Sequence, residues 1–235
     1  LGSKASAPTL DNDGNALLPG ALYCDCTLGG LYVWNRPSSD MAGQRDEILH
    51  AIAASKSDAA VDGFVYDTSQ DRDGGAWRQR CQHTSWYNET LNTATRGSRR
   101  EFPAVAVIVA EADKVTIYDG DDPALPMWMV FAPVVGTTPQ FWRTGRNVTS
   151  VSALNGTLCF GLSSGSTDSA AGLPLVEFGR DRLIRSAISN RVGGETVAQR
   201  SVGAAQPLLS GANIVSTVVN DVAMTVLPDA PIDHA

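Results

Sequence analysis

No stretch of the chain reaches the roughly 18 consecutive apolar residues that a membrane-crossing helix needs, so no insertion into a membrane is expected. No basic segment followed by an apolar one comes after Leu1, so no signal peptide is visible. Charge is scarce, at 18% of residues against about 25% in ordinary globular domains. Positive charge is scarcer still: 18 Lys and Arg face 25 Asp and Glu, a net charge of −7. A phosphate-binding surface needs a basic stripe, so a nucleic-acid partner is not expected. The one basic cluster, Arg96, Arg99 and Arg100, stands in a Gly- and Ser-containing segment before Glu101 and reads as a solvated loop.

Residues that do chemistry are equally few. There are three histidines and four cysteines, Cys24, Cys26, Cys81 and Cys159. Cys24-Asp25-Cys26 is not a zinc spacing and has no companion pair. The thiols read as unpaired, small apolar fillers in a reducing compartment. Gly-x-Ser-x-Gly is absent, and Ser163-Ser164-Gly165-Ser166 reads as a loop rather than a nucleophile elbow. Three Asn-x-Thr sequons, at Asn88, Asn147 and Asn155, are what chance supplies in a chain rich in Ser and Thr. Neither a metal nor a cofactor is expected.

What the chain has is a 43% hydrophobic content, 22 glycines and 12 prolines, a mix that favours many short strands joined by turns. The fold class is expected to be all-β. The stretch "ALYCDCTLGGLYVWN" reads as a hairpin turning at Gly29-Gly30, with Tyr32 and Trp34 on one face. Residues 38–60 read as the one helix, capped by Ser39 or Asp40, with Ile48, Leu49, Ile52 and Ala53 as its apolar stripe. Beyond it the pattern is strands: "GFVYDT", "GAWRQRCQH", "PAVAVIVAEADKVTIYDGDD" as a pair turning at residues 111–113, and "PMWMVFAP". A second pair, "NVTSVSALNGTLCFGLSSG", turns at Asn155-Gly156, a strong hairpin signal. "LPLVEF", "DRLIRSA" and, after a polar insertion at 189–213, "VVNDVAMTVLP" follow.

The two pairs share one shape. Val115 and Ile117 match Leu158 and Phe160, each 43 residues apart. About 40–50 residues per unit is the period of β-propeller blades, so residues 61–235 are expected to form a propeller-like body. They hold too few repeats for a complete ring. With no initiator Met and no closing element at Asp233-His234-Ala235, the chain is expected to be part of something longer.

"DTSQDRDGGAWRQRCQHTSWYNE", residues 67–89, is the most chemically crowded stretch. Asp67, Ser69, Asp71 and Asp73 alternate as in a calcium loop. The positions that need Gly and Glu hold Arg72 and Arg78 instead, so that pattern fails. Cys81 and His83 would share a face of a strand, but no orienting group or oxyanion hole accompanies them. The expected structure is a turn at Asp73-Gly74-Gly75 and a strand carrying Trp77, Gln79, Cys81 and His83 on one face and Arg78 and Arg80 on the other. The aspartates would pair with those arginines. Scaffold is the default reading, and no catalytic residue is assigned. Trp86, Tyr87 and Asn88 are candidates for a surface that contacts a partner or a glycan, because aromatic rings stack on sugars; packing is the alternative.

The N-terminal stretch resembles a module of bacteriophage tail fibre proteins. The family form runs Pro-Thr-x-Asp-Asn-Asp-Gly-x-Ala-Leu, then Gly-Ala-Leu-Tyr, then a hairpin ending in an aromatic strand. Pro8, Thr9, Asp11, Asn12, Asp13, Gly14, Ala16, Leu17, Gly20, Ala21, Leu22 and Tyr23 match it. Cys24-Asp25-Cys26-Thr27 stands where fibres carry Asn-Thr-Thr-type turns, and Arg36-Pro37 replaces the usual Asp-Gly-x-x-Trp close. The match covers about 30 residues, and the remainder looks like the propeller-like body of larger phage tail proteins.

The resemblance implies a fibre-type hairpin module at 1–37, a linking helix at 38–60 and an incomplete propeller-like domain at 61–235. It implies a virion structural protein of the tail, acting in host attachment or tail assembly, and not an enzyme. Its partners would be other tail proteins, further copies of itself (fibres of this kind are often trimeric) and a host-surface glycan. The rival readings are a carbohydrate-binding propeller lectin and a tailspike-type glycan hydrolase.

Overall fold

The structure, a computed structural model, describes residues 3–4, 22–25, 30–33, 52, 55–135, 141–163, 172–186, 191–202, 208–209, 214, 216 and 218–225. Leu1–Ile48 and Leu49–Ala235 are two compact units. In the first, β1 (Ser3–Lys4) runs parallel to β2 (Leu22–Asp25), and β2 pairs antiparallel with β3 (Gly30–Val33). The expected hairpin is therefore present, with Tyr23 opposite Tyr32. The fibre-like motif residues Pro8 to Ala21 lie outside the described residues.

The second unit is built from two antiparallel meanders, so the fold is all-β. One sheet holds β4 (Ala60–Asp67), β5 (Val105–Glu111), β6 (Lys114–Asp119) and β7 (Met127–Phe131) in chain order. The other holds β8 (Asn147–Leu154), β9 (Thr157–Ser163), β10 (Leu173–Glu177), β11 (Arg182–Ser186), β12 (Arg191–Gly193) and β13 (Leu208–Leu209), also in chain order. Each hairpin expected from turn chemistry forms. Asn155 and Gly156 take φ of 50° and 69°, the paired left-handed values of a type I′ turn that matches strand twist.

Both faces of β5 are covered, which explains its unbroken apolar run. Ala106, Ile108 and Ala110 enter the main core, while Val107 and Val109 pack with Ile52, Ala60, Val65, Tyr118 and Leu125. Ile52, Ser55 and Lys56 are helical, and Ala60 is already strand, so the helix ends earlier than the expected residue 60. The Lys56 ammonium donates to the carbonyls of Ala124 and Leu125 and sits 5.2 Å from the Tyr118 ring centre. Most of the expected helix, including its caps, lies outside the described residues.

The sheets meet where β4 and β8 run side by side. Both strands carry a register shift there, at Ala60/Asp62 and at Val148/Ser150. The Asp62 carboxylate takes up the Val151 N–H at 2.8 Å, and Val148 N–H donates to Ala112 O at 2.8 Å. At the far edge of the first sheet, β7 is capped by residues 95–97, whose Gly97 N–H donates to Trp128 O at 2.9 Å. A Cβ at Gly97 would lie 1.9 Å from Met127 O, so only glycine allows this approach.

Three further expectations, the strand at 76–83, the strand from Val218 and the solvated Arg96, are corrected by the structure. "AWRQRCQH" is not a strand but a 3-10 helix, Ala76–His83. It contains no β-branched residue, and its apparent alternation puts only Trp77 and Cys81 inside. Residues 218–225 are described but form no strand; they lie along β8 and β9, with Val219 N–H donating to Leu162 O at 3.3 Å. The insertion at 189–213 contains β12, β13 and a 3-10 helix, Val197–Gln199. Arg96 is not in a solvated loop: it is 1% exposed, its guanidinium lies 4.3 Å from the Trp128 ring centre, and it donates to Trp128 O and Arg100 O.

Arg96 belongs to a buried cluster. Arg200, also buried, donates to Glu89 Oε1 at 2.6 Å, to Val130 O and to Thr95 O, and Arg96 Nε lies 3.5 Å from Glu89 Oε2. One carboxylate thus serves two buried guanidiniums and holds the 197–200 segment against the β7 edge. Breaking a buried ion pair from one side costs about 3–5 kcal/mol, because the other charge stays behind. Glu89→Gln is therefore expected to lower unfolding free energy in urea by about that amount. A loss under about 1 kcal/mol would show the cluster to be an ordinary surface pair.

Candidate functional site

The crowded stretch at 67–89 follows β4 at one end of both sheets; Thr68, Asp71 and Thr84 are buried, while Gln79, Arg80, Gln82 and His83 are exposed. Tyr66, the penultimate residue of β4, donates its hydroxyl to the buried Asp71 carboxylate. Trp77 Nε1 donates to the same carboxylate at 2.7 Å, and Asn155 N–H does so from the β8–β9 turn, also at 2.7 Å. Tyr66 Oη in turn accepts the Gly156 N–H at 2.7 Å. Burial first, then the Asp71 carboxylate, pushes the Tyr66 phenol well above its ordinary value.

The rest of the stretch ties the first sheet to the β10–β11 turn. Ser85 donates both N–H and Oγ–H to Asp181, and Trp86 Nε1 donates to Phe178 O at 2.9 Å. Asp181 also accepts the Val197 N–H. Phe102 sits at the centre, with ring-centre distances of 4.8 Å to Trp128, 4.9 Å to Phe178 and 5.1 Å to Trp77. Gly156 closes this layer, since a Cβ there would lie 3.0 Å from the Trp77 ring.

The candidate surface residues divide accordingly. Trp86 is 0% exposed and is corrected from surface to core: its ring packs edge-on against Trp128 and Phe178. Tyr87 is half-buried and packs against that core, and Asn88 is exposed, its amide donating to Gln82 O and Thr84 O. The Cys81–His83 pair is not assembled. Cys81 is buried with its thiol on Trp77 O, and His83 is exposed. Burial pushes the Cys81 thiol up to about 11, which opposes a nucleophilic thiolate.

The aspartates of the failed calcium pattern are taken by internal donors. Asp67 caps Ser69 N–H, Asp71 holds the three groups above, and Asp73 accepts from Gly75 N–H and Arg80. The Arg80–Asp73 pairing is the expected Arg–Asp contact, made within the loop rather than across a hairpin. Arg78 goes instead to Phe102 O, and Arg99 to Asp119 and Asp121.

Two features at the other end of the second sheet had no sequence signal. Arg146 and Arg185 are buried and lie near Arg143; burial first, then Arg146 and Arg143, push the Arg185 guanidinium down to about 10. A cleft of about 330 Å³ runs beside Cys159 and Leu173, walled by Ile214, Val219 and Val222. Burial pushes the Cys159 thiol up to about 12, so it is an apolar lining group there. Cys81 and Cys159 are free thiols; the side chains of Cys24 and Cys26 lie outside the described residues.

No family model matches the chain, and no curated protein and no solved structure matches it.

Two outcomes follow from this chemistry. Asp71→Ala strands two buried donors and one half-buried amide, and each buried donor costs about 1–3 kcal/mol, so a loss of at least about 2 kcal/mol in urea unfolding is expected. Arg80→Ala, which removes one side of an exposed pair, is expected to change stability by about 1 kcal/mol or less. Equal effects would contradict the assignment.

The second outcome concerns alkaline pH. Unfolded thiols lose their protons from about pH 8.5, whereas Cys81 and Cys159 keep theirs in the fold up to about 11 and 12. Above about pH 8 the unfolded state then binds fewer protons, and stability falls as pH rises, by up to about 1.4 kcal/mol per pH unit for each group. Urea midpoints that stay level or rise between about pH 8 and 9, below the range where Arg185 loses its proton and acts in the opposite sense, would refute the burial of these groups.

Proposed function

We propose that this chain is a structural component of a bacteriophage tail, a fibre or tail protein acting in host attachment or tail assembly, and not an enzyme. The observation that carries the reading is the run of matches from Pro8 to Tyr23, followed by a hairpin whose strands are Leu22–Asp25 and Gly30–Val33. The way the second unit uses its polar residues supports it. The side chains best suited to chemistry, Asp71, Glu89, Asp181 and the arginines beside them, tie main-chain amides and carbonyls of one sheet to those of the other. A protein that must keep its shape on the outside of a particle benefits from that investment.

Within this reading the second unit is propeller-like. β4–β7 is a four-stranded meander and β8–β13 a six-stranded one, and their first strands, β4 and β8, are neighbours, as the inner strands of adjacent blades are. The 43-residue match fits less simply, because β5–β6 occupies the middle of its sheet while β8–β9 includes the edge. Further copies of this chain, other tail proteins and a host-surface glycan are the proposed partners.

The test is made on particles of the virus whose genome encodes the chain. Peptide mass mapping of purified virions is expected to find the protein, and antibodies against it are expected to label the tail and slow adsorption to host cells. Absence from virions overturns the reading. A fall in the viscosity of a host polysaccharide on incubation with the purified protein would replace it with a hydrolase.

A further inference from the structure

We propose that Asn155-Gly156 is a latent covalent-modification site, a succinimide-forming pair whose chemistry the native fold suppresses. It is the one Asn-Gly dipeptide in the chain. In an open chain the reaction needs only water. The Gly156 amide nitrogen loses its proton to hydroxide and attacks the Asn155 side-chain carbonyl carbon. The bond from that carbon to the side-chain nitrogen breaks, and the nitrogen leaves as ammonia after taking a proton from water. Water then opens the cyclic imide at either carbonyl, leaving aspartate or isoaspartate. A glycine in second place speeds ring closure because it has no side chain to obstruct it.

The structure opposes each requirement. The φ values of 50° and 69° set a type I′ turn. Ring closure needs rotation about the Asn155 Cα–C bond, and the turn blocks that rotation while the β8–β9 ladder is intact. The proton that must leave is donated to Tyr66 Oη at 2.7 Å, and that hydroxyl is itself held by the buried Asp71 carboxylate. The Asn155 side chain is pinned, its Oδ1 accepting Arg72 N–H at 2.9 Å, while Asn155 N–H is bound to Asp71. The Trp77 ring covers Gly156, with its atoms 3.0 Å from where a Cβ would stand, and keeps hydroxide from that face.

The product would not fit the same site. A carboxylate at 155 would stand beside the carboxylate of Asp71, where like charges oppose each other, and isoaspartate would lengthen the turn by one bond. The modification is therefore a one-way mark of chains that have opened at this end.

The experiment holds the full-length chain at mildly alkaline pH, folded in one arm and unfolded in urea in the other. Asp and isoAsp at position 155 are quantified by peptide mass mapping. Folded protein is expected to convert at least about tenfold more slowly, one decade in rate. Tyr66→Phe keeps the ring and removes the hydroxyl; where near-ultraviolet circular dichroism shows it folded, its rate at 155 is expected to rise severalfold. Should that variant not fold, the wild-type rate across sub-denaturing urea serves instead and is expected to follow the unfolded fraction. Conversion in the folded wild type as fast as in urea, or faster, overturns the proposal. The Asp71–Tyr66 chain would then be drawing the Gly156 proton away, with Arg72 N–H polarising the carbonyl under attack.

Discussion

Asp71 accepts a phenol, an indole and a main-chain amide, and those three donors come from β4, the 3-10 helix and the β8–β9 turn. A buried carboxylate is tolerated only when its lone pairs are filled. Each of these elements therefore depends on the other two. If the turn moves away, Asp71 is under-bonded; if the 3-10 helix unwinds, Trp77 leaves the aromatic layer and its N–H loses its partner. The registration of one meander on the other rests on this junction.

Around it, the same solution recurs with different groups. Asp181 gathers Ser85 and Val197, Asp62 takes up an amide at the β8 register shift, and Arg200 supplies donors to edge carbonyls at Thr95 and Val130. Where two sheets abut without sharing a continuous ladder, main-chain groups at their edges would be left without partners. Carboxylates take the orphan N–H groups and guanidiniums take the orphan carbonyls. Among the described residues, Asp71, Arg96 and Arg200 are buried at these seams.

This arrangement explains why local pattern was informative in some places and misleading in others. The β5–β6 and β8–β9 hairpins were legible because apolar alternation and turn residues act between neighbours in sequence. The strand expected at 76–83 failed because alternation of Trp77, Gln79, Cys81 and His83 has no ladder partner, and two glycines before it turn the chain into a helix instead. Arg96 looked solvated because charge ordinarily is; nothing nearby in sequence announces that Trp128 and Glu89 will enclose it. Trp86 stayed open between a contact surface and packing, because its partners Trp128 and Phe178 are distant in sequence.

The sequence by itself determined the all-β class, the hairpin turns and most strand positions, because each depends on contacts only a few residues apart. It also singled out 67–89 as the stretch on which the reading turned, with scaffold as its default role. Only the tertiary structure decided what that stretch holds. Asp71 meets Asn155, Ser85 meets Asp181 and Glu89 meets Arg200 across separations of 84, 96 and 111 residues. The favourable energy of such pairs exists only once two sheets have packed and excluded water between them.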